Sequence, residues 1–248
     1  MSQEPTDTFH APIRWDYRGL PHSVAFNDKY FCTDNGYEET LYVSCQGNQL
    51  QERFSKLDPQ KLGTFTIIET GFGLALSFCT LWQLWDQCAP SSWKLHFISI
   101  ELYPVAVEDL SRALAIWPML SDYKEALVAQ YQPSEGGVKD FYFERGHVLL
   151  TIVFEDVLNA LSHIHEKAIV PNGADAWFLN GFAPFKNPKM WSDEVFQKMA
   201  PLSRKGTTLS TFTVAGFVRR GLEASGFVVE RIKGHGKKKQ ILTGFFGG

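Results

Sequence analysis

Cysteine is scarce in this 248-residue chain: four residues, none in a C-x-x-C pair or at a metal-ligand spacing. Cys32, Cys45, Cys79 and Cys88 read as reduced thiols of a cytoplasmic protein, which excludes a disulfide-stapled or zinc-clipped scaffold. No apolar run approaches the ~18 residues of a membrane span, and the polar N-terminus lacks the hydrophobic core of a signal peptide. Basic charge is not in excess either. A net charge of -3 gives no global field for nucleic acid, so any such contact needs a local patch. Internal repeats, low-complexity tracts and clear linkers are missing too. What remains is an ordinary globular composition, 44% hydrophobic and 21% charged. A chain of this length buries roughly three quarters of its unfolded surface without a staple.

The first sixty or so residues are rich in turn formers and aromatics, among them Tyr17-Arg18-Gly19, Phe26-Asn27-Asp28 and Tyr30-Phe31. Thr40 to Val43 is strand-like and Gln49 to Phe54 can start a helix, so residues 1–60 are expected to form a cap with a hairpin and a short helix. Residues 61–248 are regular. Strands are expected at Thr64–Ile68, Leu95–Ile100, on both sides of Arg145-Gly146, and at Ala174–Leu179, Thr207–Thr213, Phe227–Ile232 and Lys239–Phe245. Between them fall helices at Leu74–Gln87, from Pro104 (in a first turn) through Trp117, at Asp156–Lys167 behind an Asp cap, from Ser192 through Met199, and at Ala215–Ser225. Alternation of this kind implies an α/β fold with a mostly parallel sheet covered on both faces. The last two strands have no helix between them. They predict a hairpin and one antiparallel strand, the pattern of a Rossmann-like S-adenosylmethionine-dependent methyltransferase fold.

Open α/β sheets bind ligands beyond the carboxyl ends of their strands, where this chain carries Glu69, Gly71, Gly73, Glu101, Asp156 and Asn180. Gly71-x-Gly73 suits a close backbone approach to a ligand, or a tight strand-to-helix turn and no more. Glu101, ending the next strand, suits a bidentate acceptor for two ribose hydroxyls, or a solvated strand end. Asp156 suits an acceptor for an adenine amino group, or a helix cap. Leu76 stands where a third dinucleotide-binding glycine would be, so S-adenosylmethionine, which has no pyrophosphate, fits better than a nicotinamide cofactor. In Asn180-Gly181-Phe182-Ala183-Pro184 a side-chain oxygen can accept an amine N–H, and an aromatic face can pack beside a cationic methyl donor. His163 and His165 are two apart on a helix, wrong for a shared metal face, and no metal is expected. Arg204-Lys205, Arg219-Arg220, Lys233 and Lys237 to Lys239 cluster in the C-terminal part. Charge alone suits a solvated helix and basic loop as well as a phosphate-binding face.

Several runs, read together and in order, resemble one family. They are Asp34-Asn35-Gly36-Tyr37-Glu38-Glu39-Thr40, Gly47-Asn48-Gln49-Leu50, Glu69-Thr70-Gly71-Phe72-Gly73, Asp175-Ala176-Trp177-Phe178-Leu179, Gly181-Phe182-Ala183-Pro184, Lys186-Asn187-Pro188, Met190-Trp191, and Thr211-Phe212-Thr213 through Ala215-Gly216-Phe217-Val218-Arg219-Arg220-Gly221-Leu222. From about Phe26 to Gly244 the chain is similar to the methyltransferase domain of the bifunctional tRNA 5-methylaminomethyl-2-thiouridine biosynthesis (MnmC) family. The resemblance implies N-methylation of the 5-aminomethyl group of wobble 2-thiouridine in tRNA, with S-adenosylmethionine as donor. It implies a cofactor loop at Glu69, Gly71, Phe72 and Gly73, a ribose acid at Glu101, an adenine-side acid at Asp156, and a substrate motif at Phe182 and Pro184; Asn180 and Phe182 are the catalytic candidates, and Asn180 also counts among the cofactor contacts. With tRNA as the implied partner, Lys186, Arg219, Arg220, Lys237, Lys238 and Lys239 become the candidate phosphate contacts. In bifunctional members a flavin-dependent oxidoreductase domain acts upstream. This chain ends at Gly248 before any such domain, which suits a stand-alone enzyme or a piece of a longer protein. Three departures stand out. The family's G-F-G-T-G-L-N-F is here Gly71-Phe72-Gly73-Leu74-Ala75-Leu76-Ser77-Phe78, its Asp before Gly-Phe-Ala-Pro is Asn180, and a Gly before the adenine-side Asp is Glu155. They frame a second expectation, a non-catalytic relative that binds tRNA or a protein partner.

Overall fold

The computed structural model describes residues 10–31, 35–236 and 238–248. Cys32, Asp34 and Lys237 therefore lie outside the described residues. The chain opens with a small antiparallel sheet of β1 (Ile13–Trp15), β2 (Pro21–Ser23) and β3 (Asp28–Lys29). Helix α1 (Gly36–Thr40), capped by the Asn35 side chain, runs into a π-helical turn at Leu41–Gln46, and α2 (Leu50–Ser55) follows. The strand expected at Thr40–Val43 is thus helical. Its β-branched and aromatic residues favour a strand only locally, and packing against the large sheet overrides that preference, burying Val43 and Cys45.

The regular region runs β4 (Gly63–Thr70), α3 (Leu76–Cys88), β5 (Trp93–Ile100), α4 (Val107–Leu114), α5 (Ser121–Gln130), β6 (Val138–Phe143), β7 (Val148–Val153), α6 (Val157–Glu166), β8 (Ala174–Leu179), α7 (Asp193–Met199), β9 (Ser203–Thr211), α8 (Gly216–Ala224), β10 (Phe227–Lys233) and β11 (Gln240–Phe246). Pro104 stands ahead of α4 and not in its first turn, because its carbonyl is engaged by the Ala11 N–H at 2.8 Å.

The eight-stranded sheet has the order β10-β11-β9-β8-β4-β5-β7-β6. β4 pairs in parallel with β5 and β8, β5 with β7, and β8 with β9. β11 lies antiparallel between β9 and β10, as the missing helix predicts. β6 adds a further antiparallel edge, since the short Glu144–Gly146 turn permits only a hairpin to β7. Alternate residues of each central strand serve opposite faces: Phe65 and Ile67 join the core under α3, α4 and α5, and Ile68 joins that under α6, α7 and α8. Each such buried side chain contributes roughly 1.5–3 kcal/mol. The order in which strands are added reverses at β4, with β5 and β7 to one side and β8 and β9 to the other, so a crevice opens beyond the carboxyl ends of β4 and β8.

Candidate active site

That crevice is a cavity of about 850 Å³, within the ~300–1,000 Å³ range of small-molecule sites. Its floor is the turn after β4. Gly71 (φ 88°) and Gly73 (φ 54°) both take left-handed conformations, and a methyl on Gly71 would stand 3.4 Å from the Gly181 Cα of the next turn. The backbones after β4 and β8 therefore meet with no side chain between them. Ala75 also adopts a positive φ of 61°, but it is buried in the core and does not line the cavity. Leu74 does line it, and the space remains with Leu74 in place.

Glu101 hangs over this floor. Its Oε2 accepts from the Gly73 N–H at 2.8 Å and its Oε1 from the Tyr103 N–H at 2.9 Å. A carboxylate offers about four lone-pair sites, more than the backbone groups use, so acceptor capacity remains for a ligand. Burial raises its pKa against these backbone hydrogen bonds. Asp156 caps α6 by accepting from Leu158 N–H at 3.0 Å and also lines the cavity, so the cap and ligand readings are compatible. Glu155 lines it as well and meets His163 Nδ1 at 3.1 Å. Phe72 lines the cavity, and its buried ring stacks on Tyr131 at 5.9 Å.

Asn180 closes the wall between β4 and β8. Its Nδ2 donates to Glu69 Oε1 at 2.9 Å and to Ser77 Oγ at 3.1 Å, while Thr70 Oγ1 donates to its backbone carbonyl at 2.9 Å. With the amide nitrogen committed, the amide oxygen is the acceptor left on this cavity-lining side chain. Glu69 itself, expected at the cofactor, sits one layer behind the wall. It is 1% exposed and does not line the cavity, because the β4 pleat points it at Asn180 and Ser99.

Phe182 stands at the mouth, stacked on Phe26 at 4.7 Å and meeting Tyr30 edge-on at 5.3 Å. The N-terminal segment is thus a roof. It is pinned by Ala183 N–H donating to Asp28 Oδ2 at 3.0 Å, by Lys186 bound to Asp28 and the Asn27 carbonyl, and by Trp15 Nε1 donating to Asp109 at 2.9 Å. Sequence reasoning expected a cap from these residues but not that it roofs the cavity. Its aromatic density was visible, but the contacts join positions far apart in the chain.

The basic candidates do not gather. The Lys186 ammonium is used by Asp28, and Arg219 pairs with Glu223 at 3.7 Å. Arg220 and Lys239 are exposed away from the cavity lining. Lys238 lines the cavity, with Nζ 2.6 Å from Glu39 and over the Phe212 ring. Two exposed lysines that sequence reasoning passed over, Lys29 and Lys189, are at its rim. Among the described residues no group of three or more His, Cys, Asp and Glu side chains is placed to hold a metal.

Residues 118–246 match a family described as S-adenosyl-L-methionine-dependent methyltransferase. The chain belongs to that family. This methyltransferase is 46% identical over 236 residues to the tRNA 5-methylaminomethyl-2-thiouridine biosynthesis bifunctional protein MnmC of Methylobacillus flagellatus, covering 95% of this chain and 35% of that protein. It is 44% identical over 243 residues to the protein of the same description from Pseudomonas aeruginosa, covering 98% of this chain and 36% of the relative. It therefore spans about a third of the length of these relatives. Among solved structures, MNMC2 from Aquifex aeolicus shares the fold, with a TM-score of 0.72 and 16% identity over 96% of this chain and 71% of that one. No helix among the described residues is long and apolar enough to cross a membrane.

Proposed function

We propose that this methyltransferase transfers a methyl group from S-adenosylmethionine to the 5-aminomethyl group of a wobble 2-thiouridine in tRNA. The observation that carries the reading is the orientation of Asn180. Glu69 and Ser77 hold its amide nitrogen, which leaves an oxygen at the cavity wall to accept an amine N–H. The relatives named for this tRNA modification match over nearly the whole chain, which supports the choice of substrate.

The residues present suit the donor. Glu101 keeps lone pairs for vicinal hydroxyls, Asp156 has an oxygen for an exocyclic amine, and the left-handed Gly71 and Gly73 leave room for close approach. Bound there, S-adenosylmethionine supplies an electrophilic methyl on a cationic sulfur. The chain's own part is placement. Asn180 orients the amine with its lone pair free, an arrangement that lowers the entropic cost of bringing two reactants together. Phe182, Phe26 and Tyr30 offer a flat apolar wall for a base extruded from its stack and exclude water from the reacting groups. In this reading residues 1–60 cap the methyltransferase unit of residues 61–248, the protein is cytoplasmic, and a flavin-dependent oxidoreductase domain or protein acts upstream to supply the aminomethyl group. The test is transfer of labelled methyl from S-adenosylmethionine to tRNA lacking only this methyl, with fully modified tRNA as control. Label in the first and not in the second is expected; label in neither contradicts the reading.

A further inference from the structure

A primary ammonium has no lone pair until it loses a proton, and the Asn180 amide cannot take one at neutral pH. The group that can lies directly behind it. Glu69 is 1% exposed, its Oε1 accepts from Asn180 Nδ2 at 2.9 Å, and its Oε2 accepts from Ser99 Oγ at 2.8 Å. Ser77, from the first turn of α3, connects the two sides of the wall. It lines the cavity and accepts at 3.1 Å from Asn180 Nδ2, the same nitrogen that donates to Glu69 Oε1 at 2.9 Å, so one donor holds the Ser77 hydroxyl beside the Glu69 carboxyl. A hydroxyl with the cavity on one side and a buried carboxyl on the other is a one-step proton bridge, since it donates and accepts at once.

We propose that Glu69 is the proton acceptor for the substrate amine, reached through the Ser77 hydroxyl. An ammonium proton passes to Ser77 Oγ as the Ser77 proton passes to a Glu69 oxygen. Ser77 is unchanged, the carboxylate becomes a carboxylic acid, and the ammonium becomes an amine with a free lone pair. That lone pair forms the new N–C bond while the C–S electrons stay on sulfur, and the product leaves as a secondary ammonium. Glu69 then returns its proton to solvent through Ser77 and the open cavity.

The acid strength suits the task. Burial pushes Glu69 up to about 7, and the negative charge of Glu101 adds to this against the hydrogen bonds of Ser99, Asn180 and Ser77. No cation is among the groups acting on it; Ser99 and Glu101 come from β5 and its end, Asn180 from the end of β8, and Ser77 from α3. A base with a pKa near the working pH is the efficient one. A purely structural role would be served by a neutral amide, which avoids the cost of a buried carboxylate.

The inference rests on the amine-methylation reading. Its test is single-turnover methyl transfer to undermethylated tRNA between about pH 5.5 and 8.5, together with pH-difference infrared spectra of the free protein, for wild type, Glu69→Gln and Ser77→Ala. In the wild type a carboxyl titrating near 7 and an acidic limb of the rate with the same midpoint are expected. Glu69→Gln should lose both and slow the reaction by about 10²-fold. Ser77→Ala should keep the infrared titration yet slow transfer by roughly tenfold or more. A Glu69→Gln protein with the wild-type rate and an unaltered acidic limb, or a Ser77→Ala protein at the wild-type rate, overturns the relay while leaving the function standing. A wild type that methylates no tRNA removes the function and the relay together.

Discussion

The amide nitrogen of Asn180 donates to the buried Glu69 Oε1 at 2.9 Å, across the carboxyl ends of the neighbouring strands β8 and β4. This bond decides which end of the amide faces the cavity, and it makes position 180 sensitive to one atom. Asn180→Asp would set two carboxyl groups in hydrogen-bond contact, and such a pair retains one proton because both do not ionise together. The remaining negative charge would then sit at the cavity wall. With a carboxylate touching the amine in place of one reached through Ser77, single-turnover methyl transfer by Asn180→Asp is expected to be roughly tenfold faster, below the full ~10²–10⁴-fold of general-base help. An unchanged or lower rate would show that positioning is all this residue supplies.

Glu69 also gives the fold a pH dependence of definite sign. Its folded pKa is raised from 4.5 to about 7, so its contribution to stability is fully present below about 4.5 and is lost as pH rises through about 7. At pH 8 the wild type should be less stable than Glu69→Gln by roughly 3 kcal/mol, and near pH 4.5 the two should converge. Urea unfolding at the two pH values measures this, and a difference independent of pH would contradict the burial assigned to the carboxyl.

Glu101 is the residue on which donor affinity is expected to depend most. Truncation to Ala removes its free lone pairs and the Gly73 hydrogen bond that shapes the loop. With charge-assisted bonds at roughly 1.5–3 kcal/mol each, calorimetry should show S-adenosylmethionine affinity falling by at least about tenfold. Unchanged affinity would move the site elsewhere.

For tRNA binding, the rim lysines are expected to matter more than the C-terminal cluster. Lys29 and Lys189 are exposed at the cavity mouth, whereas Lys238 is matched by Glu39 and Lys186 by Asp28. Replacing Lys29 and Lys189 by Ala should flatten the salt dependence of tRNA binding by roughly 0.7–0.9 log units per lost phosphate contact. Lys238→Ala should leave the slope nearly as it was. The opposite ranking would return the phosphate face to the C-terminal loop.

Much of this was legible from the chain itself. β4, β5 and β8 are short apolar runs that end on Thr70, Ile100 and Leu179, so the functional side chains fall at their carboxyl ends by sequence alone. The hairpin of β10 and β11 followed from a connection too short for a helix. Other features were hidden. α5 went unread because its apolar residues lie around the helix with only Leu127 buried. Leu41-Tyr42-Val43 carries strand-forming residues in a helical turn whose conformation is set by packing. The roof over the cavity depends on Asp28 reaching Ala183 and Lys186, contacts that no local pattern encodes. Glu69 was found, but its place one layer behind the cavity wall was not, since the pleat direction at the last residues of β4 shows only once its neighbours are in place.

The central claim is that this cavity methylates an aminomethyl group on tRNA, and nucleoside mass spectrometry tests it most directly. Undermethylated tRNA carrying 5-aminomethyl-2-thiouridine is incubated with the purified chain and S-adenosylmethionine, digested, and its nucleosides are separated. The account predicts that the aminomethyl nucleoside disappears and a species one methyl heavier appears in its place, with conversion slowed in Glu101→Ala. An aminomethyl nucleoside left intact by a protein that binds S-adenosylmethionine would contradict it.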